Sequence, residues 1–484
     1  MTHFRIINAC LDKNRFSFGV QNMEVNVPDS KNTRTFQEAD GLPADKRMLA
    51  ILTVFLSMGI AVMDGSIANL ALPVIARDLM TSEAQAIWII NSYQIALAVF
   101  LLPLASLGEV VGYRRVYLTG LIFFIVASLA CAMSGTMLQI SLARTFQGIG
   151  AAGILSVNSA LLRFIFPTRL LGRAIGYNAL VAGTASALGP TVSGVLLHVA
   201  SWHWLFLINI PLGLISFSIG IKALPFNPLS KRKFDAKSAL VCMLFIGLLL
   251  YTIDAIGHVE GWATVITCAA LTVISLLALL KVQSTSAPML PLDLLRIPLF
   301  ALSVGTSFCS FAAQMAALVM LPFMMQNYLG MGAGRAGLLL TAWPISVALT
   351  GVLAGKLSDR IMAGLLGGIG LAILAVGLAM LLIVNPQTSD MTVVILFAIC
   401  GIGFGLFQAP NNRTIMSSAP KARTGGASGM LGTARLTGQT LGASVVALML
   451  TKSTSPYELV LISAAILSGA ACVVSLSRIR YHKD

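Results

Sequence analysis

The chain has 484 residues, 57% of them hydrophobic and only 10% charged, whereas soluble domains carry about 25% charged residues. With a mean hydropathy of +0.87, this composition excludes a soluble enzyme or signalling domain. The net charge of +14 does not point to nucleic acid, because the basic residues are scattered in short gaps between apolar stretches, where membrane topology accounts for them.

Residues 1–47 are polar and mixed in sign, with seven Lys/Arg and six Asp/Glu. They lack the apolar core of a cleavable signal and are too acidic for a transit peptide. A disordered cytoplasmic tail is expected, with Met23 as an alternative start to Met1. Fourteen apolar segments follow, at 49–75, 87–107, 115–133, 138–162, 174–197, 203–224, 238–256, 262–281, 298–325, 336–355, 364–384, 391–412, 425–450 and 456–477. About 20 apolar residues span a bilayer as a helix, and the rival closed barrel needs short alternating segments instead. The implied fold is all-α, a polytopic membrane protein with 14 transmembrane helices and both termini on one side. Placing the tails and every even-numbered gap in the cytoplasm puts 27 of the 32 basic residues inside, among them the cluster Lys231, Arg232 and Lys233. Only Arg77, Arg335 and Lys452 fall outside, with Arg144 and Arg435 inside helices, as the positive-inside rule requires.

Segment 5 and segment 13 repeat one another, GTASALGPTVSG at 183–194 matching GTARLTGQTLGA at 432–443, an offset of 249. Glu109 matches Asp359 at an offset of 250, and the same offset sets Gln314 opposite Asp64. The chain therefore divides into a six-helix half at 48–224, an inserted pair of helices within 225–297, a second half at 298–478 and a short tail at 479–484. Repeats of this kind place a binding site at the midplane between halves that rock.

Asp64 lies inside segment 1, where a charge costs about 3 kcal/mol and marks an ion or substrate path. At 1.5 Å per residue it sits roughly 22 Å from the cytoplasmic start of its helix and about 8 Å from the outer face. Gln94 and Arg144 reach about 9–10 Å in from the outside, near the same level. Asp64, Gln94 and Arg144, with Gln147, are expected to share one cavity in which Arg144 biases the protonation of Asp64; the alternative is that Arg144 satisfies helix-end carbonyls or snorkels outward. Tyr93 and Trp343 lie deep, where core packing and cavity lining fit equally. Arg435 is the other buried cation, suited to packing between halves or to touching substrate. Asp254 is expected in interfacial water near the outer end of segment 7, and Trp202, Trp204 and Trp262 are expected as interfacial anchors. The five histidines fall in loops or tails, so none is placed as an intramembrane relay. Seven cysteines without a C-x-x-C pair make a metal site or disulfide framework unexpected, and no phosphate-binding loop is present, so no cofactor is expected.

Several motifs occur in order: MDGSIANLALP with Asp64, Asn69 and Pro73; LARTFQGIGAA with Arg144, Gln147, Gly148 and Gly150; ALGPTVSG with Gly189, Pro190 and Gly194; and WHWLFLINIPLG. On these the sequence resembles the major facilitator superfamily, in its fourteen-helix drug:proton antiporter branch, over about residues 45–480. It departs from the pattern at Ser66, Ser193 and His203. The gap after segment 2, LASLGEVVGYRR, resembles the family's conformational latch through Glu109, Gly112, Arg114 and Arg115, and GKLSDRIM is its second copy with Asp359 and Arg360; Glu109 stands where the family has Asp. The resemblance implies an antiporter motif at Gly189, Pro190 and Gly194 and cavity roles for Asn69, Tyr93, Gln314, Trp343 and Arg435. It also implies export of drugs, biocides and dyes such as quaternary ammonium compounds and methyl viologen. Desolvation favours a carboxylate's neutral form, so a proton and a lipophilic cation can compete for Asp64. The expected partners are protons, small lipophilic cations and the lipid bilayer, with the monomer as the working unit. A proton-coupled carrier of a metabolite would use the same parts, and a membrane sensor or scaffold is the reading from another class.

Overall fold

The computed structural model describes residues 41–481, less 228, 231, 232, 259, 260, 284–287, 421 and 422. The expected polar tail up to residue 40, Met23, Cys10, His3, Lys231, Arg232 and His482 lie outside the described residues. Fourteen long helices run in chain order: α1 (Ala44–Asp78), α2 (Glu83–Val111), α3 (Tyr113–Ala132), α4 (Met137–Ile165), α5 (Leu171–Val199), α6 (Trp204–Ala223), α7 (Ala236–Gly257) and α8 (Trp262–Val282), then α9 (Pro298–Phe323), α10 (Ala333–Leu357), α11 (Ala363–Met380), α12 (Asp390–Ser418), α13 (Thr424–Lys452) and α14 (Pro456–Ser477). No strand occurs among the described residues.

Most helices outrun the apolar segments that announce them, because i→i−4 hydrogen bonding continues into the polar boundary layer after the hydrophobic run stops. Before α1 the Leu42 N–H donates to the Ile165 carbonyl at 3.1 Å, and a last helical turn carries the chain to Tyr481. Thirteen helices are long and apolar enough to cross a membrane by length and composition. α13 is long but less apolar, since small residues let it lie against backbone: a Cβ on Gly438 or Gly442 would come within 2.4 Å of the Phe308 carbonyl or 2.3 Å of the Ala312 carbonyl of α9. Small residues at such crossings are how membrane helices approach closely.

The sequence repeat reappears as repeated packing. A Cβ on Gly148 would meet the Tyr93 carbonyl at 2.4 Å, and one on Gly401 the Trp343 carbonyl at 2.3 Å. Gly150 likewise abuts Phe124 and Gly120, as Gly403 abuts Leu374 and Gly370. The glycines of α4 and α12 are offset by 253 residues and their neighbours on α2/α10 and α3/α11 by 250. Each set thus builds its own three-helix wedge on glycine contacts.

At the end of the molecule that carries the chain ends, Arg478 is buried and ties the last set together. Its Nη1 donates to Asn411 Oδ1 at 2.5 Å and Ser303 Oγ at 3.0 Å, and its Nη2 to Ser475 Oγ at 2.5 Å, joining α14, α12 and α9. Hydrogen bonds to a charged group are worth about 1.5–3 kcal/mol, and orphaned buried partners cost as much again. Arg478→Ala should therefore lower the thermal midpoint of the purified protein clearly, whereas Arg480→Ala, at an exposed site, should leave it within error.

Candidate functional site

Asp64 lies mid-way along α1 and is 1% exposed, as is Arg144 of α4. Arg144 Nη1 meets Asp64 Oδ2 at 2.5 Å. The other carboxylate oxygen accepts from Gln147 Nε2 at 3.0 Å and from Asn209 Nδ2 of α6 at 2.7 Å. Both oxygens are thus met by N–H donors, the arrangement that suits an anion. Arg144 is fixed from every side: its Nε donates to the Ile89 carbonyl at 3.0 Å, its Nη1 to Gln147 Oε1 at 2.6 Å, and its guanidinium lies 4.2 Å over the Tyr93 ring. Behind it Gln147 Nε2 also donates to Ser128 Oγ at 2.9 Å, and Tyr93 Oη donates to the Ala61 carbonyl at 3.3 Å. Residues 144 and 147 share one face of α4 because three residues make nearly one turn, and Gly148 lets α4 sit against the backbone of α2, which brings Tyr93 and Ile89 within reach.

The expected association of Asp64, Arg144 and Gln147 is therefore present, but Asp64 is not the solitary carboxylate among apolar walls that suits a cation, because Arg144 already neutralises it. Gln94 does not join them. Its Nε2 faces Met315 Sδ of α9 at 3.8 Å, since equal depth says nothing about azimuth and one residue turns a helix by about 100°. Asn209 is the partner sequence reasoning passed over, although it stood in the WHWLFLINIPLG motif as the asparagine with no assigned role. Asn69 is half-buried and its Oδ1 has no partner among the described residues. Gln314, half-buried, makes no side-chain hydrogen bond among the described residues. Trp343 is packed in the core of the last set, its Nε1 without a partner among the described residues. The second copy of the site is apolar: at the offset shared by the α4 and α12 glycines, Phe397 and Cys400 stand where Arg144 and Gln147 would be.

Arg435 is not buried in packing as expected. It is enclosed by protein yet exposed to solvent, with its guanidinium 5.7 Å over the Phe311 ring. Its charge, like those of Asp64 and Arg144, acts on Tyr93, the ring that the Arg144 guanidinium covers.

Side-chain hydrogen bonds between the first six and last six spans gather at the far end, opposite the chain ends, while α2 and α13 stay in apolar contact further along, where a Cβ on Gly429 would meet a Leu102 methyl at 2.6 Å. Arg77 donates to Gln326 Oε1 at 3.4 Å, Gln326 Nε2 to the Leu70 carbonyl at 3.0 Å, and Asn327 to Glu83. Thr191 and Thr341 hydroxyls meet at 2.5 Å. Of the motif glycines, Gly189 seats α5 on Ser66 of α1, while the Pro190 carbonyl and Gly194 lie against Gly337 of α10. Ser193, in a glycine's place, donates to the Ile67 carbonyl at 3.1 Å, so that departure adds a tie to α1.

The latch residues are not joined across the sets. The expected loop after segment 2 is a single residue: α2 runs through Glu109 to Val111, and Gly112 turns the chain with φ +106, which glycine adopts without a Cβ penalty. Glu109 makes no ion pair among the described residues. Arg114 donates to the Ile221 carbonyl at the end of α6, and among the described residues no ion pair is made by Arg115 or Arg360. Asp359 pairs within its own set with Arg413 at 2.5 Å, both side chains exposed. Trp204 and Trp262 are exposed at helix ends, as anchors are, but Trp202 is buried and donates from Nε1 to Asp78 Oδ2 at 2.7 Å.

Residues 54–443, and again 302–483, match the Major Facilitator Superfamily. The chain belongs to that superfamily. Within this superfamily it is 47% identical over 448 residues to the uncharacterized transporter YebQ of Escherichia coli (strain K12), covering 91% of this chain and 98% of YebQ. It is 30% identical over 420 residues to the multidrug resistance protein Stp of Mycobacterium tuberculosis (strain CDC 1551 / Oshkosh), covering 85% of this chain and 78% of Stp. It is 27% identical over 401 residues to the riboflavin transporter RibZ of Clostridioides difficile (strain 630), covering 82% of this chain and 87% of RibZ. The superfamily member is a multi-pass membrane transporter, not an enzyme.

Proposed function

We propose that this transporter is a proton-driven antiporter that exports amphiphilic drugs and biocides across a bacterial inner membrane, with both termini in the cytoplasm. The observation that carries the reading is the buried Asp64–Arg144 pair. With Asp64 ionised the pair is neutral. A proton that takes Asp64 leaves Arg144 as an uncompensated cation in a low-dielectric site, which repels a cationic substrate nearby and favours its release. Loss of the proton restores the neutral pair and readies the site for the next substrate. Asp64 is the proton carrier in this scheme and Arg144 converts its occupancy into electrostatic work; Tyr93, Gln147 and Asn209 hold the pair in register. A sealed far end with unjoined latches at the terminus end fits a state open to the cytoplasm, and rocking of the two sets would expose the site to the other side. The name of Stp supports drugs as substrates.

Arg435 favours a second reading. An exposed cation beside a neutral pair makes the space net positive, which suits an anionic or neutral metabolite better than a quaternary ammonium ion, and RibZ is named for riboflavin. Efflux from energised vesicles separates the two. Uncoupler-sensitive export of ethidium and methyl viologen is expected for the first, with Arg435→Ala leaving those cations transported at the same rate or faster. Failure to move either cation, with uptake or export of an anionic dye abolished by Arg435→Ala, would replace it by the second.

A further inference from the structure

Asp254, expected in interfacial water, is instead fully buried, and His258, expected in a loop, caps α7 and is 9% exposed. Asp254 Oδ1 accepts from Asn91 Nδ2 of α2 and from Ser444 Oγ of α13 at 3.3 Å. The inserted helix α7 thereby touches both the first and the last six spans through one carboxylate. A Cβ on Gly257 would lie 2.4 Å from the Ser444 carbonyl, so α7 and α13 are in backbone contact at the same level. His258 completes the cluster. Its Nε2 is 3.0 Å from the Ala84 carbonyl, and its Nδ1 is 3.1 Å from both the Asp254 carbonyl and Asp254 Oδ2.

Among the described residues, both ring nitrogens of His258 therefore face only oxygen acceptors. A neutral imidazole has one donor and one acceptor nitrogen, so with an ionised Asp254 one nitrogen would be set lone pair to lone pair. The geometry is satisfied when the pair holds one more proton, on the ring or shared with the carboxylate. Trp88 stacks on the His258 ring with centroids 5.3 Å apart, a contact that favours a cationic ring. Trp88 also lines a pocket of about 470 Å³ with Thr81, Gln85, Met137, Leu138 and Ser141.

We propose that Asp254 and His258 form a second proton-binding site, on the inserted helix, whose occupied state clasps the first and last six spans together at the far end. Few other charges face it. α2 presents Asn91 and Trp88, and its Glu83 is engaged with Asn327. α13 presents Ser444, with Arg435 and Lys452 roughly 12–14 Å along the helix on either side. α8 presents Thr272, bonded to Thr252, and the thiol Cys268. Tyr251 of α7 lies against Trp88, and Glu260 lies outside the described residues. Burial opposes charge on His258, but the hydrogen bond and charge of Asp254 outweigh it and hold the imidazole above its ordinary value. The clasp is thus fully present below the ordinary histidine range, about 6.5, and is lost as pH rises through the raised value. By linkage, a closed far end that binds this proton more tightly is favoured at low pH.

The inference rests on the rocking motion of the reading above but not on Asp64, so its test uses the full chain in an Asp64→Asn/Arg144→Gln background, which leaves no lone charge at that pair. With native cysteines replaced, spin labels on Gly135→Cys and Gln387→Cys report the far-end separation. The closed population is expected to dominate at about pH 5.5, below the ordinary histidine range, and to fall on alkalinisation. Adding His258→Gln or the isosteric Asp254→Asn should remove that pH response, and either variant suffices if the other does not fold. Trp88 fluorescence, isolated by difference from Trp88→Phe, should rise as the imidazolium is lost and should stay flat in His258→Gln. A pH response that survives both substitutions, or no response in the folded Asp64→Asn/Arg144→Gln chain, overturns the proposal while leaving the antiport reading untouched.

Discussion

Asp64→Asn is expected to abolish uncoupler-sensitive efflux and to destabilise the purified protein at the same time. The substitution removes the only carboxylate that Arg144 meets among the described residues, leaving a guanidinium 1% exposed with neutral partners. Breaking a buried pair from one side costs about 3–5 kcal/mol, because the remaining charge stays buried without compensation. Arg144→Gln should cost a similar amount by stranding Asp64. The double variant Asp64→Asn/Arg144→Gln leaves no lone charge and should recover most of the lost stability, a non-additivity of the kind that neighbouring sites show, yet it should not recover transport. Thermal unfolding of the four proteins in detergent gives the cycle, and vesicle efflux gives the function. Additive losses would show that the pair is not energetically coupled. Wild-type efflux from Asp64→Asn would remove Asp64 from the transport cycle.

Gly337→Val is expected to open the far end. Its Cβ would land 2.4 Å from the Pro190 carbonyl, 2.8 Å from a Leu70 methyl and 3.0 Å from Gly194 Cα, and two of those three neighbours are backbone that cannot swing aside. Overpacking of this kind costs about 1–3 kcal/mol. Because the contact joins the first set to the last, the cost falls on the closed far end and not on the opened one. That differential shifts the equilibrium by about 5- to 150-fold. A cysteine introduced at Thr191, whose hydroxyl meets Thr341 across the same seam, should then react faster with a membrane-impermeant maleimide. Gly351→Ala, on the same helix with open space around it, should leave the rate unchanged. Equal rates in a folded Gly337→Val protein would mean that this seam does not close the far end.

Much of the fold was legible because membrane spans announce themselves by composition. All fourteen apolar segments correspond to long helices, including 425–450, whose helix is rich in Gly, Ser and Thr and is less apolar than the others. The repeat was legible too, through Glu109 and Asp359 and the glycine motifs, and it led on to the matched glycine contacts of α4 and α12. In the site, Asp64, Arg144 and Gln147 were found by depth and motif. Gln94 was misplaced and Asn209 overlooked for one reason: distance along a helix gives height in the membrane, whereas contact also needs azimuth and the crossing of a second helix. Asp254 and His258 were read by their nearness to a segment end. Only the packing of α7 against α2 and α13 shows that this end is roofed by protein instead of water.

From the sequence by itself come the class, a multi-pass transporter, together with its fourteen spans, its internal repeat and the one deep acid in its first helix. These are local or periodic properties, set by apolar run length and by residue identity, and they need no third dimension. The tertiary structure decided the charge states those residues confront. It paired Asp64 with Arg144 rather than leaving it free, turned Arg435 towards solvent, and drew Asp254 and His258 into the seam between the two sets. Burial and pairing arise where helices distant in sequence cross, at glycines that admit backbone contact, and a buried charge is defined by its neighbours more than by its own place in the chain.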